Sequence, residues 1–296
     1  WLQTAVLYGG LVLAALFAPG LAVAFGLQAM DRSVQSSEQV ELELGLPVLH
    51  IIPRFAPLPE TAPLLLTDDR LHPLGAESFR TLRTAIAMLE SAREQRSFLF
   101  TSTVPEEGKT FTALNCAAML AQQGFRTLVV DADLRRPRVE EYLTGSRELR
   151  PGLTDYLEGR KRLAEITQEL PGHRNFFWVS AGQTVALPAE LLLRDCLRTF
   201  LAEALREFDR VVVDSAPVTA VSDTLAITRS CGATVLIVRS RLEPRRAVQR
   251  AVQMLKQAGA NLCGVVLNQE SPRRTPAYYS DRAAAEYRRK HSGTSR

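Results

Sequence analysis

Residues 5–27 are almost wholly apolar, and residues 1–30 contain no Asp, Glu, Lys or Arg. As a helix, a stretch of that length extends roughly 35 Å, enough to cross a hydrocarbon core of about 30 Å. Pro19 and the glycines at 9, 10 and 20 are tolerated better in membrane helices than in soluble ones. A signal peptide would need a basic start and a cleavage site, and neither is visible. A buried core helix is seldom this long and this free of charge. The pattern therefore predicts one transmembrane helix over residues 1–30, with Arg32 just beyond it on the cytoplasmic side.

Residues 31–73 are mixed. A polar, acidic stretch runs from 36 to 44, and a short apolar run bounded by Pro47 and Pro53 follows. Further prolines at 57, 59, 63 and 73 mark a juxtamembrane linker. From residue 74 the pattern turns to alternating helices and apolar strands. Helices are expected at 74–93, 110–123, 188–208, 222–229 and 244–258. Strands are expected at 98–101, 127–130, 176–179, 210–213, 234–238 and 262–267. The strand runs are continuously apolar rather than alternating, which marks strands covered on both faces. Strands that alternate with helices predict an α/β fold, a doubly wound, mostly parallel sheet with helices on both faces.

The 296 residues have ordinary globular composition, with 46% apolar and 23% charged, so disorder and low complexity are excluded for the bulk of the chain. Four cysteines, Cys116, Cys196, Cys231 and Cys263, lie far apart, which argues against a disulfide framework, against a zinc site and for a reducing compartment. The formal net charge of +4 is uneven. Residues 271–296 hold seven basic and two acidic side chains, +5 in all, so the remainder is near −1. That basic tail carries Tyr278, Tyr279 and Tyr287, three of only six tyrosines in the chain. The chain opens on Trp1 rather than Met, so a preceding segment is expected.

The sharpest chemical signal follows the strand at 98–101. Thr103, Val104, Pro105, Glu106, Glu107, Gly108, Lys109 and Thr110 fit a phosphate-binding loop that opens the next helix, and Phe111 beside it completes the expected nucleotide-binding stretch. There, backbone N–H groups and a helix N-terminus face an anion, the lysine reaches the β- and γ-phosphates, and the hydroxyl ligates Mg²⁺. Thr103 stands where the usual pattern has Gly. The bland reading is a surface turn before a helix, but only four of the 36 basic residues are lysines, and one of them is here. Glu106 and Glu107 are expected to turn to solvent, away from phosphate. Asp131 and Asp133 end the strand at 127–130, and Asp214 ends the strand at 210–213. Each alone reads as a solvated strand end. Together with a phosphate loop they point to the ligand-binding end of an open α/β sheet.

Three apolar residues followed by Asp131, Asp133 and Arg135, and three more followed by Asp214 and Pro217, resemble the Walker A′ and B motifs of the bacterial tyrosine kinases. These are capsular and exopolysaccharide autokinases without a eukaryotic-type kinase fold. The resemblance covers nearly the whole chain. Its upstream part, with residues 31–34 and 46–48, is similar to the end of a chain-length-determinant protein. Glu77, Arg80 and Arg83 match the family's E-x-x-R-x-x-R oligomerisation motif, on a helix stripe separate from the apolar Phe79, Leu82, Ile86 and Leu89. Without the resemblance that stripe reads as a solvated face.

The resemblance implies an ATP- and Mg²⁺-dependent autokinase in the bacterial inner membrane with its kinase domain in the cytoplasm. It implies a ring-like homo-oligomer working with the polysaccharide polymerase and export machinery. Residues 1–30 would be the membrane helix, 31–73 the linker, 74–270 the kinase domain and 271–296 the tail. Thr110, Asp133 and Asp214 would hold Mg²⁺, and Lys109 the phosphates. Asp131 would orient or deprotonate the tyrosine, and Arg135 would steady the site. Asn268 would touch the adenine, and Tyr278, Tyr279 and Tyr287 would accept phosphate. Two rivals share the fold: a partition- or septum-type ATPase, and a nucleotide-binding scaffold without kinase activity. The first carries an extra lysine where this chain has Val104. Nucleic acid is not expected as a partner, because the tail is short and lacks interleaved aromatics.

Overall fold

The structure is a computed structural model that describes residues 17–18, 37–55, 65, 73–88, 95–148, 150–193, 195–240, 242 and 244–270. Among these, no helix is long and apolar enough to cross a membrane. The apolar stretch at 5–27 lies outside them except for Phe17 and Ala18, and the tail tyrosines lie outside as well.

The strands are β1 (Val48–Pro53), β2 (Ser97–Ser102), β3 (Thr127–Asp131), β4 (Thr167–Glu169), β5 (Phe176–Val179), β6 (Arg210–Asp214), β7 (Ala233–Arg239) and β8 (Leu262–Glu270). They form one sheet in the order β1-β8-β7-β2-β6-β3-β5-β4, parallel throughout except for the antiparallel β4 edge. The helices are α1 (Ser37–Leu44), α2 (Pro73–Met88), α3 (Lys109–Gln122), α4 (Val139–Thr144), α5 (Leu153–Leu157) and α6 (Leu163–Ile166). They continue with α7 (Pro188–Leu193), α8 (Asp195–Glu207), α9 (Asp223–Thr228) and α10 (Arg245–Gln257).

Both faces of the sheet are covered, as the apolar strand runs require. Alternate residues of β2 divide between them. Phe98 and Phe100 pack with Phe79, Leu82 and Ile86 of α2 and with α3, while Leu99 faces the opposite layer. α3 lies close to the sheet because Ala113, Ala117, Ala118 and Ala121 form its inner surface. On the other face α7 and α8 cover β3 and β6 through Leu191, Leu197, Phe200 and Leu201. α1 and α10 cover β7 and β8 through Val40, Leu44, Val248 and Leu255.

The stretch read as a linker contributes to this core. α1 packs on β1 side chains and α10, and β1 extends the sheet beside β8. Six residues, VLHIIP, suffice for an edge strand, where the prolines at 47 and 53 cost no ladder hydrogen bond on the outer side. The segment expected as a helix at 188–208 is helical over Pro188–Leu193 (α7) and Asp195–Glu207 (α8), the residue between them lying outside the described ones, and α2 ends its described course at Met88. All four cysteines are free, as their spacing implied.

Candidate active site

Sheet register builds the site. Asp214 lies opposite Phe100 of β2 on one side and opposite Asp131 of β3 on the other. The ends of β3 and β6 are thus level, β2 runs two residues further, and the loop that leaves it brings Lys109 and Thr110 against the acids. That loop needs two left-handed residues, Glu106 at φ 67° and Gly108 at φ 87°. Gly108 is required on a second count: a Cβ there would come within 2.1 Å of the Asn268 amide nitrogen. The chain then enters α3 at Lys109.

Lys109 gathers the carboxylates. Its Nζ lies 3.1 Å from Asp133 Oδ2 and 3.4 Å from Asp214 Oδ2. The Thr110 hydroxyl donates to Asp214 Oδ2 at 2.6 Å. Burial opposes the charge on Lys109, but Asp214, Asp133 and Asp131 together raise its pKa. Asp214 is fully buried, and that burial lifts its carboxyl above the usual range, against the pull of Lys109 and Thr110. Asp131 is pushed up to about 7, by burial first and then by Asp214.

Asp131 and Asp133 divide the work between them. Asp131 accepts three backbone N–H groups, those of Asp133 at 3.2 Å, Arg138 at 2.9 Å and Val139 at 2.9 Å. Asp133 accepts the Arg136 N–H at 3.0 Å with one oxygen and faces Lys109 with the other. The loop from β3 to α4 is therefore folded around these two carboxylates. Beside Asp131 opens a cleft lined by Pro137, Glu140, Arg147, Arg150, Ser180 and Gly182.

Glu107 is a correction to the sequence reading. Glu106 is exposed as expected, but Glu107 is fully buried. Its carboxylate accepts the Val104 N–H at 2.9 Å and the Arg239 N–H at 3.0 Å, which ties the loop to the end of β7. Asn268 braces the same turn. Its Nδ2 donates to the Glu107 carbonyl at 2.8 Å, and its Oδ1 accepts the Gln269 N–H at 2.9 Å. The amide is thus engaged by the loop itself. Thr103 is buried, and its carbonyl accepts both the hydroxyl of Thr219 at 2.6 Å and its N–H at 3.2 Å. Pro105 is exposed at the crest, and Phe111 packs edge-on against Phe79 of α2 with ring centroids 5.7 Å apart.

Arg135 turns away from the carboxylate cluster. Its guanidinium forks onto Asp223 at the start of α9, Nε to Oδ2 at 2.7 Å and Nη2 to Oδ1 at 3.1 Å. Asp223 carried no sequence signal: it is 88 residues away and reads as an ordinary acid at a helix start. Tyr142 on α4 was missed too. It is half-buried, and burial, followed by the opposing pull of Arg138, leaves its phenol above the ordinary value, with Asp214 and Lys109 within electrostatic reach.

Glu77 is exposed, Arg80 and Arg83 are partly so, and Glu77 pairs with Arg80 at 2.9 Å on the outer side of α2. None of the three is among the buried residues of α2, although Arg83 lies near enough to buried Cys116 of α3 to act on its thiol.

Mg²⁺ fits the donor set. Three carboxylates face a single ammonium, so the cluster holds surplus negative charge, and its donors are hard oxygens. Among the described residues no three His, Cys, Asp or Glu side chains form a metal site by themselves. A magnesium ion in a phosphoryl-transfer site takes few protein ligands and completes its shell with phosphate and water.

A glycine-turned loop after a parallel strand, a lysine and hydroxyl opening a helix, and acids at the ends of the next two strands, β6 and β3, define a P-loop nucleotide-binding protein. The profile of the family described as "CobQ/CobB/MinD/ParA nucleotide binding domain" matches residues 98–293. The tyrosine-protein kinase etk of Escherichia coli K12 is 33% identical over 267 residues, covering 84% of this chain and 36% of its own length. The chain thus spans about a third of that relative. The tyrosine-protein kinase YwqD of Bacillus subtilis is 31% identical and is covered over 81% of its length, by 66% of this chain. The solved kinase domain of the Escherichia coli tyrosine kinase ETK superposes with a TM-score of 0.73 at 33% identity, over 83% of this chain and 98% of that one. The chain belongs to this nucleotide-binding family and, within it, to the bacterial tyrosine-protein kinases.

Proposed function

We propose that this chain is the ATP-dependent autokinase part of an inner-membrane protein that controls exopolysaccharide or capsule polymerisation and export. The observation that carries the reading is the cluster of Lys109, Thr110, Asp133 and Asp214 beneath the loop at 103–110, in a chain akin to named tyrosine kinases. Lys109 and the loop amides bind the β- and γ-phosphates. Thr110, Asp133 and Asp214 would hold Mg²⁺, which would offset the phosphate charge.

The acceptor hydroxyl meets the γ-phosphate on the Asp131 side of the cluster. Its oxygen bonds to the γ-phosphorus, the bond from that phosphorus to the β,γ-bridging oxygen breaks, and ADP leaves. Asp131 takes the phenolic proton. Three of the roughly four acceptor positions of its carboxylate are filled by backbone N–H groups, which leaves one for that proton. A pKa near 7 suits a base working at neutral pH. Asn268 braces the loop with one amide hydrogen and would meet the adenine with the other.

The acceptors are Tyr278, Tyr279 and Tyr287, offered to a neighbouring subunit in a ring assembled through Glu77, Arg80 and Arg83. Residues 1–30 cross the membrane and hold the kinase domain at its cytoplasmic face.

The test is to incubate the full chain in lipid nanodiscs with Mg²⁺ and ATP and to map phosphate by mass spectrometry. Phosphotyrosine on residues 278–287, lost in Lys109→Met and in a Phe substitution of all three tyrosines, is the expected result. ATP hydrolysis without phosphotyrosine would overturn the kinase reading in favour of the partition-type ATPase. Binding without turnover would leave a scaffold.

A further inference from the structure

The loop that carries Asp131 and Asp133 is folded on its own backbone and fastened outward by two side chains, Asp133 to Lys109 and Arg135 to Asp223. That guanidinium meets Asp223 at two points, 2.7 and 3.1 Å apart. Asp223 is 1% exposed, whereas the Arg135 side chain is 45% exposed. A buried carboxylate with a forked, half-exposed partner is a fixed anchor with a movable arm.

The anchor belongs to the segment that follows Asp214. That segment is itself bonded to the phosphate loop, Val218 N–H to the Ser102 carbonyl at 2.8 Å and Thr219 to the Thr103 carbonyl. Thr224, next to Asp223, donates to the Ala216 carbonyl at 2.5 Å. Three contacts, Thr219 to the Thr103 carbonyl, Arg135 to Asp223 and Lys109 to Asp133, together with the short chain segments 219–223 and 133–135, close a ring through the phosphate loop.

We propose that Asp223 is a positioning residue for this reaction: by holding Arg135 it fixes the Asp131–Asp133 loop against the Asp214 segment, so that carboxylates from two strands face the same phosphoryl group. Asp223 touches neither nucleotide nor acceptor. The proposal rests on the kinase reading for its kinetic arm only.

The experiment uses the full chain in nanodiscs with Asp223→Asn, Arg135→Lys and the double variant. Amide hydrogen exchange is read first, because it needs no activity. The N–H groups of Arg136, Arg138 and Val139 are expected to exchange about tenfold faster in Asp223→Asn, with those of β2 and β6 unchanged. Autophosphorylation is read second. Each single variant is expected to lower kcat by about tenfold with KM for ATP within about twofold, and the double variant to be no worse than either single.

Unchanged exchange in Asp223→Asn would overturn the proposal. So would additive losses in the double variant, or a fall in ATP affinity and melting temperature that matches the fall in kcat, since each marks a merely structural pair. If the wild-type chain forms no phosphotyrosine, the kinase reading fails by itself, and the exchange result still decides the role of Asp223.

Discussion

At the scale of single residues, Gly108 and Asp131 make the sharpest demands. Gly108 combines a left-handed φ with a contact at 2.1 Å that any side chain would need to displace. Gly108→Ala is expected to cost about 1 kcal/mol in backbone strain alone and to weaken ATP binding at least tenfold, measured by isothermal titration. Asp131 sets a pH dependence. Its carboxyl is pushed up to about 7, so the ionised, proton-accepting form is present above pH 7 and is lost as pH falls through it. Kcat for autophosphorylation is expected to fall about tenfold per pH unit below 7 and to level off above it, in a full pH–rate profile. A flat profile from pH 5.5 to 8 would remove Asp131 as the base. The motif placed Lys109, Thr110 and the three acids correctly at strand and helix ends. It could not show that Glu107 points inward, because a carboxylate bonded to backbone N–H groups leaves no mark on the sequence.

At the scale of elements, two pairings decide stability. β1 at the sheet edge carries His50, which is buried, and that burial lowers its pKa to about 4 from 6.5. Between those values the unfolded chain binds a proton that the folded chain refuses. Stability is therefore complete above pH 6.5 and declines as pH falls towards 4, by on the order of 3 kcal/mol from this group. Chemical denaturation of wild type and His50→Gln at pH 7 and pH 4.5 should show a smaller loss in the variant. The second pairing joins the β3–α4 loop to α9. Arg135→Met leaves the Asp223 carboxylate buried and uncompensated, and is expected to cost about 2 kcal/mol, at the low end for such a pair because Arg135 reaches solvent. Asp223→Asn frees a half-exposed arginine that water can take up, so its cost should be the smaller in thermal unfolding. Strands and long helices were legible as apolar runs and helical stripes. α4, α5, α6 and β4 were not, because their few residues hold neither a continuous apolar run nor a full helical stripe.

At the scale of the whole molecule, the outer stripe of α2 bears on assembly. Glu77, Arg80 and Arg83 are exposed or partly so and none is a buried core residue, so replacing all three by Ala should leave unfolding within about 1 kcal/mol of wild type. Light scattering of the nanodisc or detergent-solubilised chain is expected to show loss of the ring with the variant. A ring that persists would return the stripe to a solvated helix face.

The sequence by itself determined the layered α/β plan, since continuous apolar strands alternating with amphipathic helices can bury their surfaces in few other ways. It also determined the chemistry on offer, because a phosphate loop and strand-end acids are local patterns. Only the tertiary structure decided which groups meet. Register set Asp131 and Asp214 level on adjacent strands, though 83 residues separate them in the chain. It drew the 37–53 stretch into the core beside β8, turned Glu107 inward and joined Arg135 to Asp223. The physical reason is that hydrophobic periodicity reports the environment of one element. Partners of buried charges are fixed by the packing of several elements at once.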